Sequence, residues 1–526
     1  MTVVYSVTDD SGSHVAWYQP SVADLIFLAV VFLALQLGQT ELLNDPGTGW
    51  HIQVGRAVWQ SGPPHVDSFS FTRNGTPWIS QHWLCDALFS WLYDAASWNG
   101  LVIASALVLG WVYRSLFRVI LASGANVAWA AVLTMLAAGC AAPHWLARPH
   151  LLSLWFLVLT FHWCCEYFRS GSRIIWLAAP LFALWCNVHG GFLAGLIVIG
   201  CSLMGQVLSG PRDDQWRRRL AGFAAVLAVA VAATLANPYG WHLHTHLGKL
   251  LFTSQVRDLI DEWRSPDFQL AESRPLEVLL LLTLVLLAIA RRRVDLFSLL
   301  HIVVWIHFSL SAVRQVAFAA LIVTPLLAGL TPELGIALRE RFAPGGWFRW
   351  IESLGARARA WTESERAAHW PVWPVAASVL LVLAISFGFR VPALGIGTAR
   401  LSPVRWPIAA VERLNEEPST GPLFHDLNWG GYLLLATDPL RPVFADDRFE
   451  LYGREFLVEY LEALQNGPAW KRLLERYEFE HVLIRPDLPL ARKLRESPDW
   501  EAIHADPIAV LFQKRSSMRL ALNDSD

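Results

Sequence analysis

The sequence carries little charge. Of its 526 residues 16% are Asp, Glu, Lys or Arg, and 54% are hydrophobic. A soluble domain usually has about 25% charged residues. That shortfall excludes an ordinary soluble enzyme and a disordered scaffold. The formal net charge is −2, so no general basic footprint exists and nucleic acid is not an expected partner. Cysteine is scarce. The six cysteines all sit in or beside apolar runs, and no CxxC pair occurs. This excludes a secreted disulfide framework and a paired-cysteine zinc site. What is plentiful is apolar and aromatic: mean hydropathy is +0.37 and there are 27 tryptophans. Tryptophan suits membrane interfaces and sugar stacking.

The apolar residues are gathered into runs of roughly 17–25, long enough to span a bilayer core. Eleven such runs stand at about 23–40, 100–120, 126–142, 150–166, 173–188, 190–208, 220–236, 275–290, 295–310, 313–331 and 373–391. The first has no basic segment before it and no small-residue cleavage site, so it reads as an uncleaved anchor. Loops after even-numbered runs are roughly threefold denser in Lys and Arg than the others, which places the N-terminus inside and the C-terminus outside. The expected fold is therefore an α-helical polytopic membrane protein of about eleven transmembrane helices. Residues 1–22 form a cytoplasmic segment, 23–391 a transmembrane domain with its first outer loop at 41–99, and 400–526 an outer domain. The tail alternates apolar strand-like runs (421–427, 441–448, 481–487, 509–515) with amphipathic helical stretches (407–416, 450–465, 468–477). That alternation predicts a small α/β domain with a partly parallel sheet.

On this topology the chemistry gathers on the outer face. The first loop reads NDPGTGWHIQVGR (44–56) and then SGPPHVDSFSFTRNGTPWISQHWL (61–84). Its apolar positions at 50–60 have helical spacing and predict a short surface helix. Asp45 stands at the end of the first run. A carboxylate at such a boundary can serve as general base or metal ligand; it can equally cap the next helix. Further outer segments are APHWLARPH (142–150), NVHGG (187–191), NPYGWH (237–242), DEWRSPDF (261–268) and SLSAVRQ (309–315). They bring Arg148, His150, His189 and Arg314 to the same face. Snorkelling arginines and packed histidines would give the same residues a purely structural role. In the tail, HDLNWGGYLL (425–434) places Trp429 and Tyr432 around two glycines, and Asp446, Asp447 and Arg448 stand at the end of a strand-like run. Charges are nearly absent from the centres of the runs, and no matched pair of broken helices occurs. Both features argue against an ion-coupled transporter.

These motifs, DPGTGWHIQVGR, DSFSFT, PWISQHWL, RPH, NVHGGF, NPYGW, EWRSPDF, NWGGYL and PVFADDR in that order, resemble those of a bacterial group of class C (GT-C-like) polytopic membrane glycosyltransferases. Protein O-mannosyltransferases, aminoarabinose transferases and the catalytic subunit of oligosaccharyltransferase belong to the same class. The resemblance spans roughly 40–515. It implies a sugar donor on a polyprenyl phosphate, and a first-loop acid, here Asp45, that activates the acceptor or helps bind a metal. Pro46 follows Asp45 where the class often has a second acid, and ARPH replaces a paired-acid motif. A divalent metal therefore stays open as the cofactor.

The expected function is transfer of a sugar from a polyprenyl-phosphate donor to an extracytoplasmic acceptor (glycan, lipid or protein), with inversion. The enzyme would sit in the inner (cytoplasmic) membrane of a bacterium with its active face outward. Asp45 would be catalytic, Arg56, Arg148 and Arg314 would hold the donor phosphate, and His51, His82, His150, His189, Trp429 and Tyr432 would line the substrate site. A non-catalytic lipid- or glycan-binding protein of the cell envelope and a lipid-linked-sugar flippase are the alternatives.

Overall fold

A computed structural model describes residues 18–515 except 211–212, 254–256, 292, 343–345, 369 and 418–420. Most of the cytoplasmic segment assigned to 1–22, and the end of the tail from 516, lie outside the described residues. Helices follow in the order α1 (Val22–Gln36), α2 (Thr48–Ser61), α3 (Trp83–Ala122), α4 (Val127–Ala141), α5 (His150–Ser170), α6 (Ala178–Val188), α7 (Phe192–Ser209), α8 (Asp214–Ala233) and α9 (Trp241–Gly248). Then come α10 (Arg274–Ile289), α11 (Leu296–Ser311), α12 (Val316–Ala328), α13 (Thr331–Phe342), α14 (Gly346–Ala367) and α15 (Val372–Ser386). Each of the eleven apolar runs forms a helix. By length and composition, four described helices can cross a membrane alone: α3, α5, α7 and α4 with its terminal turn. Two bent pairs bring the number to six, and α1, α11 and the stretch Arg173–Val188 are shorter apolar helices.

Local chemistry sets several boundaries. At α1 the Ser21 hydroxyl accepts from the Asp24 N–H, and the Asp24 carboxylate accepts from the Ser21 N–H. This reciprocal cap satisfies two donors that a helix start leaves open. The helix α3 is broken at Ala96 and Ser97, where Ser97 has φ 52°. The break separates a first segment, 83–95, from the apolar run that follows.

The tail contains α16 (Ile408–Asn415), β1 (Leu423–His425), α17 (Gly430–Ala436), α18 (Phe449–Leu464), α19 (Pro468–Tyr477), β2 (His481–Ile484), α20 (Pro489–Glu496), β3 (Trp500–Ala505) and β4 (Val510–Lys514). The sheet order is β1-β2-β4-β3; β1 and β2 are parallel and the other pairs antiparallel. Phe424, Phe444, Tyr460, Trp470 and Phe479 pack ring against ring in its core. The expected strand at 441–448 is not in this sheet. Val443 instead exchanges backbone hydrogen bonds of 3.0 Å with Phe69 and Phe71 of the first loop. The edge strand β3, WEAIHA, is half exposed, and its mixed polarity hid it from an apolar-run reading.

The first-loop helix α2 exists, but its apolar side faces protein. Trp50, His51, Ile52 and Val54 are buried where α2 packs on α3 and α17. Two glycines allow the approach. A Cβ at Gly49 would stand 2.1 Å from the Gly431 carbonyl oxygen, and one at Gly55 would stand 1.9 Å from that of Asp86. Only hydrogen fits at either position.

Candidate active site

The site is assembled where the first loop, the α4–α5 turn, the 261–263 turn and the tail meet. After α4 the chain turns sharply, and the Ala147 N–H donates to the Leu42 carbonyl at 2.7 Å. That bond fixes the next residue, Arg148, beside the end of α1. Arg148 then reaches three carboxylates with three different nitrogens. Its Nε lies 2.5 Å from Asp45 Oδ1, Nη1 2.8 Å from Glu262 Oε1 and Nη2 2.8 Å from Asp447 Oδ2. A planar guanidinium suits such forked contacts.

Around this hub the acids are held individually. The Thr48 hydroxyl donates to Asp45 Oδ2 at 3.1 Å, and the Trp50 indole N–H donates to Asp447 Oδ1 at 2.6 Å. Asp45 is 1% exposed. Its Oδ1 contact with Arg148 is ionic but off-line for a hydrogen bond, so that buried oxygen accepts from no protein donor. A recess of about 10 Å³ touches Asp45, Thr48, Trp98, Trp406 and Tyr432; it has room for about one water.

Electrostatics follow from the crowding of acids. Burial opposes the Arg148 charge, but Asp45, Glu262 and Asp447 outweigh it and raise its pKa. Arg148 holds Glu262 down to about 2. Burial pushes Asp447 up to about 7; Arg148 pulls it down while Asp45 and Asp446 push it further up. At neutral pH Asp447 is thus poised between its two forms. Arg314 lies over the Trp263 ring at 4.4 Å, and its charge also helps lower Glu262.

The tail is clamped to the loop by a second buried arginine. Arg448 Nη1 lies 2.8 Å from Asp67 Oδ1, and Nη2 lies 2.6 Å from Asp446 Oδ2. The guanidinium carbon sits 4.6 Å from the Trp78 ring centroid. This clamp delivers the neighbouring Asp447 to Arg148.

No protein-family model and no curated protein matches the chain. Solved structures do. ArnT from Cupriavidus metallidurans in the apo state matches with a TM-score of 0.52 at 14% identity, over 93% of this chain and 97% of that one. The apo oligosaccharyltransferase from Archaeoglobus fulgidus matches with a TM-score of 0.52 at 12% identity, over 89% of this chain and 72% of that one. The chain has a GT-C fold. At these identities the likeness concerns the fold, and the chemistry of this GT-C chain rests on its own side chains.

Those side chains divide the expected site residues. Asp45 and Arg148 meet directly, Arg314 stands beside them through Trp263 and Glu262, and Tyr432 borders the recess at Asp45. His51, His82, His189 and His150 form a file, with successive ring centroids 5.3, 5.4 and 6.4 Å apart. His144 continues it, 6.4 Å beyond His150. Burial lowers both His51 and His82 to about 3, which leaves them neutral imidazoles. Arg56 is not at the centre: it pairs with Asp94 at 2.6 Å on the exposed side of α2. A helix start at Thr48 turns position 56 away from position 45. Trp429 is also elsewhere, 5% exposed among core side chains.

The sequence marks Asp447 only as one of three charged residues at the end of a strand-like run, and it does not mark Glu262. Their segments, DEWRSPDF and PVFADDR, were visible as motifs. Nothing in chain spacing tells which of several acids will reach one arginine 114 or 299 residues away.

Proposed function

We propose that this protein is a membrane glycosyltransferase that moves a sugar from a polyprenyl-phosphate donor to an acceptor outside the cytoplasm. The observation that carries the reading is the Asp45–Arg148 pair, in which a buried carboxylate oxygen next to a fixed cation accepts from no protein donor. The GT-C fold and the positive-inside charge bias support it. Nucleotide sugars are cytoplasmic, so an outward-facing transferase needs a lipid-borne donor.

Asp45 accepts the proton of an acceptor hydroxyl as that oxygen attacks the anomeric carbon. The bond between that carbon and the phosphate oxygen breaks, and the phosphate leaves with the electron pair. Arg148 orients Asp45. Arg314, across Glu262 and Trp263, supplies positive charge for the departing phosphate, and charge-assisted hydrogen bonds suit phosphate oxygens. A single displacement inverts the anomeric centre. The recess holds only a water, so Trp406 and Tyr432 must separate when an acceptor enters. The histidine file offers neutral imidazoles to sugar hydroxyls. The position where the class would hold a metal does not fit one here: Arg148 stands against Asp45, and a guanidinium and a dication would compete for the same carboxylate. No step is routed through a metal.

Asp45→Asn keeps the shape and removes the base. General-base catalysis is worth about 10²–10⁴-fold. The expected result is loss of transfer by about that factor, read as the envelope glycan profile of a deletion strain complemented with the variant at normal protein level. Restoration of the wild-type profile by Asp45→Asn would reject the assignment.

A further inference from the structure

A second cluster of polar side chains lies beside the Arg148 centre and neither takes the acceptor proton nor meets the departing phosphate. It consists of His51 on α2, His82 just before α3, and Asp86 in the first turn of α3. One ligand atom from each can be chosen so that all lie within 4.8 Å of one another. His51 Nδ1 is 2.6 Å from Asp86 Oδ1. The Ser80 hydroxyl donates to the other Asp86 oxygen at 2.6 Å. The Nδ1 of His82 is buried and has no hydrogen-bond partner. His51 and Asp86 are 3% and 0% exposed.

We propose that His51, His82 and Asp86 bind a divalent transition metal of the zinc class, at a site separate from the Arg148 centre. The donor set is two imidazoles and one carboxylate, which suits zinc and similar transition ions rather than calcium or magnesium. Both imidazoles are neutral at physiological pH, the form that ligates. Among the described residues no Lys or Arg forms an ion pair with Asp86, so its buried charge lacks a contacting cation, and a buried charge without one is costly. A dication supplies the missing charge and fills the unpartnered His82 nitrogen.

The distances need only small adjustment. Ligands about 2.0–2.2 Å from a tetrahedral ion stand roughly 3.4 Å apart. The His51–Asp86 contact opens by under about 1 Å to admit one, and His82 closes by a little more. Ser80 then holds the outer Asp86 oxygen, the kind of outer contact that orients metal-binding carboxylates. The surroundings exclude water on several sides: Trp50 stacks on His51 at 3.8 Å and Phe89 stands 5.9 Å from it. Three protein ligands leave a coordination position for water. The ion would clasp α2 to α3 at a point six residues beyond Asp45. The inference stands whether or not Asp45 is the transfer base.

The test uses the full-length protein in detergent, stripped with chelator and titrated with zinc sulfate by calorimetry. Wild type is expected to bind one equivalent with a Kd of micromolar or tighter, and to gain melting temperature with added zinc. His82→Ala removes a half-buried side chain with no hydrogen bond, so it should fold, and it should weaken binding at least tenfold. Cobalt(II) added to wild type should give the visible bands of a low-symmetry nitrogen–oxygen site, a readout that needs no variant. Asp45→Asn should leave zinc affinity unchanged. Absence of stoichiometric binding by wild type would overturn the proposal, and so would unchanged affinity in His82→Ala. Loss of zinc binding in Asp45→Asn would also overturn it, by moving the ion to the Arg148 centre.

Discussion

Arg148→Lys separates charge from geometry at the centre. Lysine keeps the positive charge but is a point donor on a flexible stem, whereas the three contacts of Arg148 leave three nitrogens in a fixed plane. A lysine ammonium can satisfy one of Asp45, Glu262 and Asp447 well, and not all three. A hydrogen bond to a charged group is worth about 1.5–3 kcal/mol. Glu262 is 38% exposed in its side chain, so its share is largely screened and is discounted. The loss then comes mainly from one buried contact, with a smaller part from the rim, for about 2–4 kcal/mol in total. At about 1.4 kcal/mol per decade this is roughly 30- to 10³-fold in kcat/KM. Arg148→Gln, which leaves buried acids without a cation, should cost more, about 3–5 kcal/mol. The assay is transfer of labelled sugar from lipid-linked donors in membrane vesicles, with melting in detergent as the control for folding. Turnover by Arg148→Lys within about threefold of wild type would refute the reasoning, because charge alone would then suffice.

Further outcomes follow from the same contacts. Asp447 has its carboxyl pushed up to about 7, so below that pH Arg148 faces one fewer negative charge. We expect kcat/KM for the donor to fall as pH rises above about 7, and Asp447→Asn to flatten that limb; an unchanged alkaline limb in Asp447→Asn would count against it. The folded protein holds this proton more tightly than the unfolded chain, whose carboxyl titrates near 3.8. The stability from this group is therefore full below about 4 and lost as pH rises to about 7. Gly49→Ala sets a methyl against the Gly431 carbonyl oxygen, which is backbone and cannot rotate away; overpacking of about 1–3 kcal/mol should lower the melting temperature and the activity together. Arg448→Met leaves Asp67 and Asp446 buried without their cation, at about 3–5 kcal/mol. Unaltered melting of that variant would show that the clamp does not hold the tail to the loop.

Much of the architecture was legible from local pattern. Each apolar run became a helix because burial or lipid satisfies its side chains while the helix satisfies its own backbone. The tail helices at 408–415, 449–464 and 468–477 appear where amphipathic spacing put them. The strand-like run at 441–448 went astray for a tertiary reason: its hydrogen bonds go to Phe69 and Phe71, a partner far away in the chain. Arg56 lies away from Arg148 for a related reason, since helical phase sends it to the exposed side of α2, where it pairs with Asp94.

What the sequence determined alone is what short-range periodicity can encode: the helices, the tail's alternation and an acid at the end of the first apolar run. Which carboxylates share Arg148 was decided only by the folded chain. Residues 45, 148, 262 and 447 are brought together by close backbone approach at Gly49 and Gly431, by the Ala147–Leu42 hydrogen bond and by the Arg448 clamp. Those are contacts between distant segments. Their energies depend on burial and on three-dimensional distance, and neither quantity is a function of position along the chain.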